Sequence, residues 1–201
     1  MKRSFQIKMP KVETFDKSLV IEQVTDVFHD KGFNATSMQD IVDATGLNRS
    51  SIYNSFENKH NLFLECLIAY QDKNRNRLSE RVLKAGSSIE AINMIFKIYL
   101  EEITKHENDK GCLIVNCASE MANHNEVITR FLQNNKDEMI KLFEDLVQDG
   151  QVNGLINKRK SANEYGLYLY SSLLGFRMTG ILISDRTALE SITKTITQTL
   201  T

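Results

Sequence analysis

The chain has 201 residues, of which 41% are hydrophobic and one is proline, a composition that can build a sizeable core and does not indicate disorder. Its formal net charge of -1 excludes a general attraction to polyanions, so any nucleic acid must be bound by a local arrangement of charge. Three cysteines and no apolar run of membrane-spanning length favour a cytoplasmic protein without membrane contact.

Residues 1–12 contain Lys2, Arg3, Lys8 and Lys11 among scattered apolar residues. This segment lacks the apolar stretch of a signal peptide. We expect a basic N-terminal arm, although an ordinary solvated tail has the same composition.

From residue 16 onward, apolar residues recur at intervals of three and four, and the glycines fall mostly between the periodic segments. The pattern predicts an all-α protein of about nine helices, with no convincing strand. The expected helices cover residues 16–31, 38–44, 49–56, 59–85, 89–106, 112–121, 126–149, 162–184 and 186–200. The short helices fall within residues 13–60 and most of the longer ones within residues 61–201, so we expect two domains with a boundary near residue 60.

The segment TGLNRSSIYNSFENK, residues 45–59, encodes a short polar helix after a turn at Gly46. A two-turn helix is unstable alone, so its neighbours must hold it in place for some purpose. Two short helices joined by such a turn are typical of a helix-turn-helix, whose second helix enters the DNA major groove. The same pair also occurs in proteins that do not bind DNA.

The residue types of this segment suit DNA. An arginine such as Arg49 donates two hydrogen bonds to guanine, asparagines such as Asn48 or Asn54 pair with adenine, and hydroxyl groups reach phosphates. Lys59 begins the next helix, where its charge opposes the helix dipole, so we expect it to gain nothing from folding and to bind a phosphate. Residues 1–60 carry eight basic and eight acidic side chains, so affinity must come from their arrangement.

The run TSMQDIVDATGLNRSSIYNSFENKHNLF, residues 36–63, resembles the N-terminal signature of the tetracycline-repressor (TetR) family of bacterial transcription regulators. The resemblance implies a three-helix helix-turn-helix DNA-binding domain in residues 13–60 and a larger helical effector-binding and dimerisation domain in residues 61–201. It also implies a homodimer that represses until a small-molecule effector binds. Val42 departs from the more usual alanine, and Asn54 replaces a histidine common after the tyrosine. Carried over by position, the implied DNA contacts are Ser37, Asn48, Arg49, Ser50, Tyr53, Asn54 and Lys59.

The segment ANEYGLYLYSSLLGFRMTGILIS, residues 162–184, is apolar nearly all round, so it needs two surfaces to pack against. One is its own domain, and the second is a partner subunit in a two-fold four-helix bundle, as the resemblance also implies. Such a dimer would read an inverted repeat. A helix wholly buried in its own core explains the same pattern. The expected interface residues are Leu169, Ser172, Leu173, Phe176, Gly180, Leu189, Ile192 and Ile196.

Helical bundles hold ligand pockets in their interior, so we expect a small apolar or aromatic effector inside the C-terminal domain. Taken singly, each candidate residue is more often part of a core than of a pocket. The candidates are Phe96, Tyr99, Leu113, Asn116, Cys117, Met121, Phe143, Tyr168 and Phe176.

The segment KGCLIVNCASEMANH, residues 110–124, resembles a stretch of one TetR subgroup in which Gly-Cys opens the sixth helix. In the family that helix carries motion between the effector pocket and the DNA-binding domain. A helix start favours a thiolate, which makes Cys112 a candidate redox or electrophile sensor with Cys117 as a resolving thiol. Five positions are about 140° of helix rotation, so a direct disulfide would distort the helix. A structural cysteine is the alternative.

Enzyme motifs are lacking: there is no glycine-rich phosphate loop, nucleophile elbow or H-E-x-x-H pair, so we expect no catalytic residue. Cys112, Cys117 and His124 do not have the spacing of zinc ligands, so we expect no metal or cofactor. The remaining alternative is a helical protein-interaction module that does not bind DNA.

Overall fold

The computed structural model describes residues 15–105, 110–122 and 124–201, and the predicted N-terminal arm lies outside them. These residues form nine helices and no strand, which confirms the prediction of an all-α protein. The helices are α1 (Lys17–Ala35), α2 (Met38–Thr45), α3 (Arg49–Phe56), α4 (Lys59–Val82), α5 (Ser88–Ile103), α6 (Leu113–Met121), α7 (Glu126–Val152), α8 (Ala162–Leu182) and α9 (Arg186–Gln198).

The helix starts follow from short polar side chains that accept hydrogen bonds from the first backbone N–H groups. Ser37 and Ser161 each form a capping box. In it, the carboxylate three residues later, Asp40 or Glu164, accepts a hydrogen bond from the backbone N–H of the cap residue. Cys112 precedes α6 without a side-chain cap. The other side-chain caps are Asp16, Asn48, Asn58, Ser87, Asn125 and Asp185.

The first helix is longer than predicted because it continues beyond Gly32 after a kink. Gly32 has φ 75° and ψ 170°, which is outside the helical region and is accessible to glycine. The chain therefore changes direction at Gly32 and re-forms a short helical turn that ends at Ala35.

An N-terminal core is formed by α1, α2, α3, α4 and one face of α6. Phe63 of α4 lies 4.6 Å from Phe28 and 5.1 Å from Phe33, measured between ring centroids. Leu113, Cys117 and Met121 of α6 belong to the same buried cluster. The helix-turn-helix is therefore supported in part by residues far along the chain.

A second core, in the C-terminal part, is built from α5, α7, α8 and α9, with Leu78 of α4 at its edge. Phe96 lies at its centre, with ring centroids 6.2 Å from both Phe143 and Phe176. Helix α4 thus contributes its first half to one core and its second half to the other. In the part of the chain that the structure describes, no helix is long and apolar enough to cross a membrane.

Candidate DNA-binding surface and effector cavity

The helix-turn-helix is fixed by its turn and caps. Gly46 ends α2 in the left-handed conformation, and its N–H donates to the Val42 carbonyl at 2.9 Å. A hydrogen bond from Lys31, and then bonds from Ser37, hold the pKa of Asp40 well below its ordinary value. Ile52 and Phe56 anchor α3 in the N-terminal core.

The outer face of α3 is polar and solvent-exposed. Arg49, Ser50 and Asn54 are exposed, and 45% of Tyr53 is accessible. Asn48 is exposed as well, but its Oδ1 accepts a hydrogen bond from the Ser51 N–H at 2.9 Å. One lone pair of that oxygen is therefore used to cap α3, and the pairing of Asn48 with adenine stays a prediction.

Sequence reasoning missed Gln39, which lies on the exposed side of α2. Arg49 donates from Nη2 to Gln39 Oε1 at 3.2 Å, and Gln39 donates from Nε2 to Asp43 at 2.8 Å. This chain of hydrogen bonds orients the guanidinium of Arg49. Its only signal in the sequence is a polar residue in the first turn of α2, on the side turned toward α3.

The expectation that Lys59 gains nothing from folding is wrong. Its Nζ donates to the carbonyls of Phe33 and Thr36, both at 2.8 Å, and lies 4.2 Å from the centroid of the Phe33 ring. These carbonyls belong to the end of α1 and the residue after it. Partial burial lowers the pKa of Lys59, and the negative charge of Glu120 opposes that shift. Binding of a phosphate through its third N–H stays a prediction.

A cavity of about 230 Å³ lies between α4, α5, α6, α7 and α8. Its wall is mainly apolar, with polar groups from α4 and α7 on one side. Glu138 of α7 accepts hydrogen bonds from Gln71 and Arg75 of α4, which ties the two helices together beside the cavity. The lining residues are Gln71, Asn74, Arg75, Leu78, Tyr99, Cys112, Ile114, Val115, Ala118, Leu132, Asn135, Glu138, Met139, Leu142, Tyr170, Leu173, Leu174 and Arg177.

Of the nine predicted pocket residues, only Tyr99 lines this cavity. The prediction is wrong for the large aromatic side chains because they fill the C-terminal core, and for three residues of α6 because they face the N-terminal core. Tyr168 lies on the outer side of α8, and Asn116 donates to the Lys110 carbonyl at 2.9 Å. The core residues are Phe96, Phe143 and Phe176 in the first group and Leu113, Cys117 and Met121 in the second.

Cys112 does line the cavity and is half-buried. Cys117 is buried, and burial raises the pKa of its thiol to about 12. A thiol that is rarely ionised and has little access to solvent is a poor resolving partner. The expected pairing of Cys112 with Cys117 is therefore not favoured.

A larger cleft of about 720 Å³ lies mainly between α1, α4 and α5. Charged and polar side chains line most of it, including Asp26, Arg77 and Glu102. Its chemistry does not suit the apolar effector that we expect, whereas the lining of the smaller cavity does.

Six of the eight predicted interface residues are already buried inside one chain, so the prediction is wrong for them. A Cβ on Gly180 would lie 2.5 Å from Cδ1 of Ile103, so this glycine serves the packing of α8 on α5. Ser172 and Ile192 are half-buried. The buried residues are Leu169, Leu173, Phe176, Gly180, Leu189 and Ile196.

Another side of α8 is exposed and largely apolar. Met178 is 49% exposed and Leu182 is 88% exposed, and a Cβ on Gly175 would meet open space. The spacing of three and four places these residues in one stripe along the helix. We call this stripe the α8 outer face; it consists of Leu167, Tyr168, Ser171, Gly175, Met178, Ile181 and Leu182.

The described residues contain no group of three or more His, Cys, Asp and Glu side chains that is placed to hold a metal ion. A helix-turn-helix joined to a larger helical domain defines a class of DNA-binding regulators. Comparison with known families agrees. Residues 21–66 match "Bacterial regulatory proteins, tetR family", and residues 88–196 match "Tetracyclin repressor-like, C-terminal domain". The chain belongs to the TetR family of bacterial transcriptional regulators.

Relatives support this assignment. The HTH-type transcriptional regulator YezE of Bacillus subtilis is 30% identical over 135 residues, which cover 67% of this chain and 70% of YezE. The repressor DhaR of a Mycobacterium species is 24% identical over 156 residues, which cover 78% of this chain and 77% of DhaR. A cysteine mutant of the TetR-family regulator CifR, solved with 26-base-pair operator DNA, has a TM-score of 0.84 at 20% identity, covering 95% of this chain and 100% of CifR. At that identity the likeness shows the fold.

Proposed function

We propose that the protein is a dimeric repressor that recognises an inverted-repeat operator through α3. The observation that carries this proposal is the build of α3, whose inner residues Ile52 and Phe56 are buried while its outer face is polar and exposed. A two-turn helix held in this way presents its side chains to a groove of DNA. Arg49 is the base-reading residue, and Ser50, Tyr53 and Asn54 contact the flanking backbone or bases.

The α8 outer face supports dimerisation. Exposed apolar patches of this kind mark interaction surfaces, and dimers are typical of the family. Open space at Gly175 allows close approach of a second α8. Two copies of α3 in successive major grooves would read the two halves of a palindrome, which one short helix alone does not specify.

The cavity supports control by a small molecule. Its mainly apolar wall suits a compact apolar or aromatic effector with a few polar groups. The same wall includes residues of α4 and α6, and both helices also contribute to the N-terminal core. An effector that displaces either helix changes the support of the helix-turn-helix and lowers DNA affinity.

Selection from a random pool of double-stranded DNA tests the proposal. Wild type is expected to enrich an inverted repeat. Arg49→Ala is expected to lose about 1 to 3 kcal/mol of preference at one base position of each half-site. Arg130→Ala is the matched control, because Arg130 is an exposed residue of α7 that pairs with Glu126 in its own helix. Lack of enrichment by folded wild-type protein would instead favour the protein-interaction module.

A second candidate function is electrophile sensing, which the position of Cys112 in the cavity wall favours. A quinone would enter the cavity and undergo conjugate addition by this thiol: a carbon–sulfur bond forms, the S–H bond and one ring C=C bond are broken, and the thiol proton passes to the quinone oxygen, which leaves a hydroquinone thioether. Cys112→Ser should then abolish DNA release by the quinone while leaving DNA affinity unchanged. Release that persists in Cys112→Ser would show that this cysteine is structural. Cys66→Ser is an unsuitable control because Cys66 is fully buried.

A further inference from the structure

The kinked end of α1 donates two hydrogen bonds to the C-terminal domain. Glu120, in the last turn of α6, accepts the Phe33 N–H on Oε2 at 2.8 Å and the Asn34 N–H on Oε1 at 2.6 Å. These N–H groups follow Gly32, where the backbone leaves the helical conformation. A break of this kind interrupts the regular pairing of N–H groups with carbonyls one turn earlier, so the N–H groups after it need another acceptor.

The stability of α6 does not explain why Glu120 is acidic. A negative charge in the last turn of a helix opposes the helix dipole and is unfavourable there. The two bonds to α1 supply the compensating interaction. Gly32 also fits this contact, because a Cβ at that position would stand 3.0 Å from Glu120 Oε2. The kink in α1 and the carboxylate of α6 are therefore matched to each other.

The same short segment is also held by Lys59. Its ammonium binds the Phe33 and Thr36 carbonyls, while Glu120 binds N–H groups of the same segment. Residue 37, the cap of α2, follows immediately. A displacement of Glu120 is thus passed to the start of the helix-turn-helix without any intervening loop.

The opposite end of α6 is also tied down, but to an earlier turn of α1. The Gly111 carbonyl is 2.8 Å from Nη2 of Arg177 on α8 and 3.2 Å from Nε2 of His29 on α1. Lys110 forms an ion pair with Asp30. This end therefore connects α6 with the body of α1, whereas Glu120 controls the segment that leads into α2.

We infer that Glu120 is the positioning residue through which α6 sets the orientation of the helix-turn-helix relative to the C-terminal domain. This inference rests on the proposed function as a dimeric DNA reader. In a dimer, the orientation of each helix-turn-helix sets the separation of the two α3 helices. The separation in turn sets which spacing of half-sites is bound best.

The test compares Glu120→Ala and Glu120→Gln with wild type on the selected operator and on operators with one base pair added to or removed from the spacer. Glu120→Ala removes two charge-assisted hydrogen bonds from each chain and should weaken binding to the operator about tenfold, because water replaces the carboxylate and recovers most of their energy. It should also discriminate less among spacings. Glu120→Gln keeps one acceptor oxygen and should be intermediate. Glu126→Gln is the control, because Glu126 is an exposed carboxylate paired with Arg130 within α7.

Hydrogen exchange of the Phe33 and Asn34 amides, followed by NMR, separates this inference from the proposed function. Faster exchange in Glu120→Ala supports the role of Glu120 in holding the end of α1, even if wild type enriches no DNA and the proposed function fails. If wild type reads an operator but Glu120→Ala keeps both its affinity and its spacing preference, the inference is overturned and the proposed function stands. Unchanged exchange at both amides overturns the inference in either case.

Discussion

Replacement of Lys59 by methionine tests whether this residue has a folding role besides any contact with DNA. The substitution keeps most of the aliphatic stem and removes the ammonium that bonds the Phe33 and Thr36 carbonyls. Hydrogen bonds from a charged donor are worth about 1.5 to 3 kcal/mol each. Because the ammonium is partly exposed, water replaces it on the two carbonyls and screening reduces its contribution. We therefore expect a loss of about 2 kcal/mol in the free energy of unfolding.

For a chain of this length, that loss corresponds to a decrease of about 4 to 8 °C in Tm. The assay is urea unfolding at one fixed protein concentration, since the stability of a dimer depends on concentration. Lys194→Met is the matched control, because Lys194 is exposed on α9. If Lys59→Met stays within about 0.5 kcal/mol of the control, the usual range for a surface substitution, the folding role is refuted. If its third N–H binds a phosphate, Lys59→Met also lowers the salt slope of DNA binding by about one per monomer.

Three further predictions concern other surfaces. Gln39→Ala should reduce discrimination at the base read by Arg49 without abolishing DNA binding, which competition with operators mutated at that base would reveal; full discrimination would leave Gln39 without a role. Met178→Asp should shift the protein from dimers to monomers in analytical sedimentation; an intact dimer would show that the α8 outer face is not the dimer interface. Asp40→Asn should be less stable than wild type above the ordinary carboxyl pKa of 3.8. Because folding lowers the pKa of Asp40, this difference should shrink as the pH falls below that value, and a constant difference would contradict the assignment.

Local signals in the sequence were sufficient for the helices and the helix-turn-helix. Caps such as Ser37 and Asn48 and the turn at Gly46 act within a few residues, so their effect is legible without tertiary structure. The end of α1 was missed because a glycine usually terminates a helix, whereas Gly32 here only kinks it. What restores the helical turn after it includes Glu120, which is 87 positions away from Phe33.

The sides of α8 illustrate what periodicity does not decide. The helix is apolar nearly all round, so its sequence indicates two packing surfaces without saying which is internal. Packing against α5, α7 and α9 buries the side that includes Leu169 and Gly180 and leaves Met178 outside. The predicted interface residues of α8 therefore lie mostly on its buried side, and the side left exposed is the α8 outer face.

The residues that line the cavity were not predicted correctly, for a related reason. Aromatic residues such as Phe96 and Phe143 are the natural choice for an apolar pocket, but they pack against each other at the centre of the core. Polar residues of α4, among them Gln71 and Asn74, line the space that remains. A void forms where packing is incomplete, and no property of a single side chain reports that.

One face of helix α6 lines the cavity, and its opposite face packs in the core of the DNA-binding domain. Ile114, Val115 and Ala118 line the cavity, whereas Leu113 and Cys117 on the other side of the same helix are buried in the N-terminal core. A close-packed core transmits a displacement because it has no empty space to absorb it. A molecule that moves α6 therefore must also move the residues that support α1, in addition to the bonds of Glu120. In the proposed function, α6 therefore couples the effector cavity to the DNA-binding domain directly, without a long chain of intermediate residues.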